Sequence, residues 1–427
     1  MRHAPLLVTL SAATAIAVLA FVIGRPEPST PAHRIAVRVV RGVTELYDRE
    51  TGKRFLPRGS NYIRLAEQTA ADGTRLTYHS TFDVGRYAPT RGEAALRRME
   101  ADGYNAVRVF VNGVCRARCA GDEHGGAISS AYAANLTDFL RRAKAHSVFV
   151  VLTADAPPSV GKYAELLDEA QRTRAEWPNV AYLTEQGVEA DAAFWHDLVA
   201  ELRRQHAPLD AVLAYELRNE AAFRADRRPL TLPAGRIETS RGRAYDLGRP
   251  GERRRMLEES LVSWIDQVRA AVKEIAPDAL VAVGFPLPQR GDPRIVPVRA
   301  ALERSSADII DVHAYPRPGR TLREQMRRFG LGAPRRKLLI MGEFGAFKAD
   351  YRSPEVAARR LRSWQRSSCR YDFDGWLVWT WDTAEQPELW NALSGRRTIE
   401  RTLAPKFARA VCARPRAPTA AQGVAHG

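Results

Sequence analysis

The chain is short of cysteine, with four in 427 residues, and short of acid, with 49 Asp and Glu against 65 Lys and Arg. It has no glycine-rich dinucleotide fingerprint after its first predicted strand, no internal repeat and no lipobox cysteine. There is also no basic block with interleaved aromatics, so the net charge of +16 reads as arginine scattered over a surface rather than a nucleic-acid interface. Hydrophobic residues make up 45% and charged residues 27%. That balance excludes a mainly disordered, collagen-like or multi-span membrane chain. A chain this long buries a large core and needs neither metal nor disulfide to fold. At about 150 residues per domain it would hold two or three domains, a rule that α/β barrels routinely break.

The N-terminus reads as a targeting segment. Arg2 supplies a positive charge, residues 6–24 are uncharged and mostly apolar, and a polar, proline-rich stretch follows. A secretory apolar region runs about 7–15 residues and a spanning helix about 20, so this run lies nearer an anchor. Val18-Leu19-Ala20 is a mediocre cleavage signal. We expect an exported chain: residues 1–24 as signal peptide or membrane tether, 25–34 as linker, 35–412 as one catalytic domain and 413–427 as a disordered tail. An exported chain with four cysteines suggests two disulfides. Cys115–Cys119 with Cys369–Cys412 is the preferred pairing, because it joins neighbours and clips the C-terminal helix. A zinc site from Cys115, Cys119 and His124 is the rival and lacks a fourth ligand; free thiols are the third option.

Past residue 34, short apolar runs alternate with amphipathic stretches. A first pair of strands is expected to flank residues 48–53, where Glu50-Thr51-Gly52-Lys53 has turn chemistry. Eight strands follow near 56–63, 106–111, 148–152, 211–217, 280–285, 309–312, 338–341 and 376–379. Continuous apolar runs suit parallel strands covered on both faces. Helical spacing appears between them, as in Leu257, Leu261, Trp264, Val268 and Val272. Ser353-Pro354 opens a later helix with a cap and a first-turn proline, and a last helix is expected near 401–411. Eight strands alternating with helices predict an α/β protein, a (β/α)8 barrel with a short N-terminal β-hairpin and long loops on its C-terminal face. An open doubly wound sheet is the alternative.

In such a barrel the polar residues at strand C-termini build the site. Strand four ends in Tyr215-Glu216-Leu217-Arg218-Asn219-Glu220, and strand seven in Met341-Gly342-Glu343-Phe344-Gly345. Two glutamates facing across the mouth would flank one bond, one protonated to donate to a leaving oxygen and one ionised to attack. Arg108 lies within the apolar strand two, where a charge is costly unless paired; it would hold a carboxylate ionised. Tyr315, after strand six, would bond a nucleophilic carboxylate, and His313 a sugar hydroxyl. Trp376 reads as core, while Trp379 or Trp381 would be a stacking platform.

These pieces resemble a clan A glycoside hydrolase, and most nearly family 5, the cellulase-like family. The resemblance spans roughly residues 35–412. It rests on the Arg108 segment, Asn219-Glu220, His313-Ala314-Tyr315, Glu343 and Trp379, in that order on the matching strands. It implies retaining double displacement with Glu220 as general acid/base, Glu343 as nucleophile and no metal or organic cofactor. It further implies that Asn219 bonds the sugar 2-hydroxyl, that Arg108 and Tyr315 support Glu343, and that Trp379 floors the subsite beside the reacting carbon. One departure stands out. Many family members end strand three in histidine; here it ends Leu152-Thr153-Ala154-Asp155, and Asp155 would take over part of that polar role.

The expected function is therefore hydrolysis of a β-linked polysaccharide, oligosaccharide or glycoconjugate by an exported monomer. A transglycosylase would use the same covalent intermediate. A carbohydrate-binding protein without turnover is a second class, and a polyanion-binding surface protein that uses the positive charge is a third. The last predicts salt-sensitive binding that survives loss of Glu343.

Overall fold

Seven short apolar runs and the polar segment Arg58-Gly59-Ser60-Asn61 become parallel strands that close on themselves. In the computed structural model these are β1 (Arg58–Asn61), β2 (Ala106–Val111), β3 (Phe149–Ala154), β4 (Val212–Glu216), β5 (Val281–Phe285), β6 (Ile309–His313), β7 (Leu338–Phe344) and β8 (Gly375–Val378). They pair in chain order, and β8 returns to β1 through Trp376–Arg58. The structure describes residues 33–63, 68–69, 75–76, 79–113, 119–122, 127–331, 337–382, 386–408 and 411–412. The expected targeting segment, the tail, Cys115 and His124 lie outside them.

Each strand is followed by a helix: α1 (Pro89–Ala101), α2 (Ser130–Ala145), α3 (Glu185–Arg204), α4 (Pro250–Ile275), α5 (Val298–Arg304), α6 (Leu322–Arg328), α7 (Pro354–Ser368) and α8 (Ser394–Leu403). Local chemistry sets their starts. Ser129, Thr184, Thr321 and Ser353 each accept a hydrogen bond from a first-turn amide, satisfying a donor that the helix itself leaves unpaired. The last helix begins before the expected 401–411 and ends at Leu403, where Ala404 leaves the helical region ahead of Pro405.

Side-chain alternation divides the barrel into layers. In β2, Val107, Val109 and Val111 face the helices and join the main core, while Ala106, Arg108 and Phe110 face inward. The lowest inward layer is apolar: Ala106, Phe149, Leu213, Leu280, Ile309 and Leu338 pack with Ile35 and Leu46. Those last two come from the hairpin Ile35–Val40 and Val43–Asp48, so the hairpin plugs the N-terminal end of the barrel. It turns at Arg41-Gly42, both at positive φ, the geometry a two-residue hairpin loop requires. The hairpin is thus present but displaced from residues 48–53. The Glu50–Lys53 turn chemistry makes a second turn, crossed by the single bridge Tyr47–Arg54.

Cys369, just after α7, is bonded to Cys412, as expected. Cys119 is also disulfide-bonded, so its sulfur is not a thiolate for zinc and the zinc reading falls. The Cys369–Cys412 bond closes a separation of 43 residues, for which about 2–4 kcal/mol of stabilisation is typical. Replacing Cys412 with serine should lower the urea midpoint accordingly; an unchanged midpoint would show that the bond does not restrain the fold.

Candidate active site

Above the apolar plug sits a polar layer organised by Arg108. Its side chain is fully buried, and all five of its N–H donors are used. Nε and Nη2 donate to Glu216 at 3.1 and 2.7 Å, and Nη1 donates to Asn61 and Glu343, both at 2.9 Å. Nη2 also donates to Asn219 at 2.6 Å. Burial works against this cation, but the charges of Glu216 and Glu343 outweigh it and hold the guanidinium above its ordinary pKa. Thr153 donates to Glu216 at 3.0 Å. Beside them lies Asp311, whose carboxyl is driven well up by burial and by Glu216. Gly342 makes room for it: a Cβ there would lie 1.7 Å from Asp311 Oδ2, and the Gly342 amide donates to Oδ1 at 2.5 Å.

The two predicted glutamates meet one layer higher, in a pocket of about 400 Å³ lined by Asn219, Glu220, His313, Tyr315, Glu343 and Trp379 among others. Glu343 is the last charged residue of β7. It accepts from Arg108 at one oxygen and from the Tyr315 hydroxyl at the other, at 2.7 Å. His313 Nδ1 stands between the carboxylates, 3.0 Å from Glu220 Oε1 and 3.4 Å from Glu343 Oε2. Glu220, His313 and Glu343 each bring a polar atom within 4.8 Å of the others. Arg294 donates to the other oxygen of Glu220 at 2.7 Å.

The electrostatics follow from these neighbours. Burial alone would lower the His313 imidazole, but Glu343, Glu220 and Asp311 push it up to about 9. Burial would raise Glu220; the His313 hydrogen bond and the charges of His313 and Arg294 reverse that and leave it below its ordinary value. Glu343 is pushed up by burial, against the pull of His313 and Arg108. These neighbours therefore favour a proton on His313, between two carboxylates.

Most predicted residues assemble here, with some reassigned partners. Tyr315 and Arg108 support Glu343 as the sequence suggested. His313 is buried against Glu220 rather than directed out to a sugar hydroxyl. Asn219 donates to Asp155 at 2.9 Å while accepting from Arg108. Asp155 Oδ2 lies 2.6 Å from His79 Nε2. Burial would raise its carboxyl, but His79 and Asn219 bring it to about 2. His79, from the β1–α1 connection, lies flat on Phe110 with centroids 3.9 Å apart, so an imidazole does reach the end of β3, from another loop. Trp379 lines the pocket, packs edge-on against Phe110 and donates to Gln386. Trp381 does not line it. The strand ends at Val378, so its alternation does not extend to residue 381; the Trp381 amide bonds the Asn61 carbonyl and its ring packs on Tyr104 in the core. Trp376 is core and donates to Ser368.

Sequence reasoning missed Glu216, Asp311, His79 and Arg294. Asp311 carried the signal that exposed Arg108, a charge inside an apolar strand. Arg294 carried none. It is placed by the short antiparallel ladder of Arg294–Ile295 with Phe223–Arg224, which ties the loop after β5 to the loop after Glu220. Among the described residues, Glu216, Asp311 and His313 form one group able to hold a metal, and Glu220, His313 and Glu343 another. A cation in either would compete with Arg108 or Arg294 for the same carboxylates.

No family model and no curated protein matches the sequence. Solved structures do. The endo-1,4-β-mannanase of Rhizomucor miehei superposes with a TM-score of 0.57 at 13% identity, over 87% of this chain and 98% of that one. The glycoside hydrolase family 5 mannosidase of the same organism gives 0.56 at 12%, over 88% and 98%. The β-mannanase of the blue mussel Mytilus edulis gives 0.51 at 15%, over 89% and 98%. The class this establishes is one of fold: a (β/α)8 barrel of the kind those glycoside hydrolases share.

The geometry predicts that an NMR titration of His313 has its midpoint near pH 9 and that the midpoint falls in Glu343→Gln, which removes its strongest anionic partner. A wild-type midpoint near 6.5 would contradict the arrangement.

Proposed function

We propose that this protein is a retaining β-glycoside hydrolase with Glu343 as nucleophile and Glu220 as general acid/base. The observation that carries the reading is the close approach of the two carboxylates, with an oxygen of each inside a 4.8 Å cluster around His313. Retaining enzymes hold their pair about 5–5.5 Å apart, whereas inverting enzymes leave about 6.5–9.5 Å for a water. The barrel shared with mannanases and a family 5 mannosidase supports a saccharide substrate.

The neighbours suit the two roles. Glu343 attacks the anomeric carbon with its oxygens steadied by Arg108 and the Tyr315 hydroxyl, which keep the carboxylate oriented and compensate its charge in a buried site. As negative charge leaves Glu343 for the glycosyl bond, His313 loses its strongest anionic partner. Its proton becomes easier to give up, and Glu220, 3.0 Å away, receives it and passes it to the leaving oxygen. In the second step Glu220 takes a proton from water, which displaces the sugar from Glu343 with net retention, and as Glu343 regains its charge the proton passes back from Glu220 to His313. Trp379 offers the face on which the ring stacks, and Asn219 the contact to the sugar beside the reacting carbon. Bonded cysteines at 119, 369 and 412 support export to an oxidising compartment, with residues 6–24 as signal or tether.

Sugar release from β-glucans, mannans, xylans and glycolipid headgroups, wild type against Glu343→Gln, tests the class. Activity on one substrate that vanishes in the variant is expected; equal activity would reject the nucleophile. Glu220→Ala should spare aryl glycosides with good leaving groups and respond to azide. Uniform loss on all substrates without azide rescue would reject the acid/base assignment.

A further inference from the structure

The barrel order divides the pocket mouth in two. Going from β4, with Glu220, to β7, with Glu343, the short way passes β5 and β6; the long way passes β3, β2, β1 and β8. The long side presents Trp379 and His79. The short side presents three arginines, Arg294 from the loop after β5 and Arg317 and Arg320 from the loop after β6.

The backbone that carries Arg317 and Arg320 is held in place, while the Arg317 side chain is exposed. The loop Tyr315-Pro316-Arg317-Pro318-Gly319-Arg320 has two φ-fixing prolines and is anchored at both ends. Gln325 donates to the Tyr315 carbonyl and Arg360 to the Arg320 carbonyl, each at 2.9 Å. The Arg317 guanidinium lies 5.5 Å over the Phe347 ring, beside the tyrosine that bonds Glu343. Among the described residues neither Arg317 nor Arg320 has a carboxylate partner. Arg294 has two, Asp292 and Glu220. Among the described residues, then, no carboxylate offsets the Arg317 and Arg320 guanidinium groups, and a neutral saccharide would bring none.

We propose that the pocket takes an acidic β-glycan, its carboxylate or sulfate group bound by Arg317 and Arg320 and within reach of Arg294. Both anions match the planar fork of arginine, which can donate two parallel hydrogen bonds to either. An anion that draws Arg294 away also removes one of the two cations holding Glu220 ionised, so the substituent would assist proton delivery as well as binding. This deepens the hydrolase reading and rests on it for the catalytic consequence, though not for the binding.

The test uses cellotetraose and mannotetraose, each neutral, oxidised to the C6 carboxylate or sulfated at C6. Binding is measured calorimetrically to Glu343→Gln, and hydrolysis with the wild type. The acidic form of at least one sugar should bind about tenfold or more tighter than its neutral parent, the size expected of one or two charged hydrogen bonds, and added salt should erode the margin. Arg317→Ala with Arg320→Ala should bring the ratio close to one, and the double lysine replacement should restore part of it. The carboxylate and sulfate arms identify the anion. Equal binding of neutral and acidic forms, no binding of any, or a preference that survives the double alanine variant overturns the proposal. Hydrolysis of neutral sugars with equal binding overturns it while leaving the hydrolase reading standing. An arginine-dependent acid preference with no hydrolysis upholds the site and overturns the hydrolase reading instead.

Discussion

Arg108 touches β1, β4, β7 and the segment after β4 at once, through Asn61, Glu216, Glu343 and Asn219. A cation taken wholly out of water is costly unless its charge and every donor are matched, and here all five donors are. The same contacts that make its burial tolerable fix where Glu343 and Asn219 stand. Below it the barrel is closed by the hairpin plug; above it the pocket opens. The polar layer is therefore sealed on one side by apolar packing and opens to the pocket on the other.

His313 depends on that frame. It reaches both pocket carboxylates from β6, with the raised Asp311 carboxyl beneath it, and its high pKa is the electrostatic consequence of three acidic groups around one buried imidazole. The resting site thus differs from a simple pair in which one carboxyl is protonated and the other is not. Glu220 is held ionised by His313 and Arg294, and the proton waits on the histidine. On the proposed hydrolase reading, catalysis would turn on moving that proton by one hydrogen bond, with Arg294 setting how readily Glu220 accepts it.

Much of this was legible in the sequence. Parallel strands buried on both faces produce continuous apolar runs, which made seven of the eight readable, and a charge inside such a run singled out Arg108; β1 was placed near 56–63 although its Arg58-Gly59-Ser60-Asn61 has no apolar side chain. Glu220, Tyr315 and Glu343 followed from their places just beyond strand ends. The misreadings have physical causes. Nearness to the end of strand eight made Trp379 and Trp381 equal candidates for the platform, but the chain leaves the strand after Val378 and turns Trp381 into the core. The hairpin was placed on the turn chemistry of Glu50–Lys53, which does form a turn, while the tighter Arg41-Gly42 pair makes the loop. His79 and Arg294 come from loops whose paths are set by tertiary pairing, a stacked Phe110 in one case and a two-residue ladder in the other. No local pattern encodes those contacts.

The most direct test of the central claim is to trap the covalent intermediate. The protein would be incubated with 2,4-dinitrophenyl 2-deoxy-2-fluoro-β-glycosides of the gluco and manno series, and its peptides analysed by mass spectrometry. The account predicts a stoichiometric glycosyl adduct on the peptide carrying Glu343, absent from Glu343→Gln. Dinitrophenol release with no adduct, or an adduct on a different residue, would contradict it.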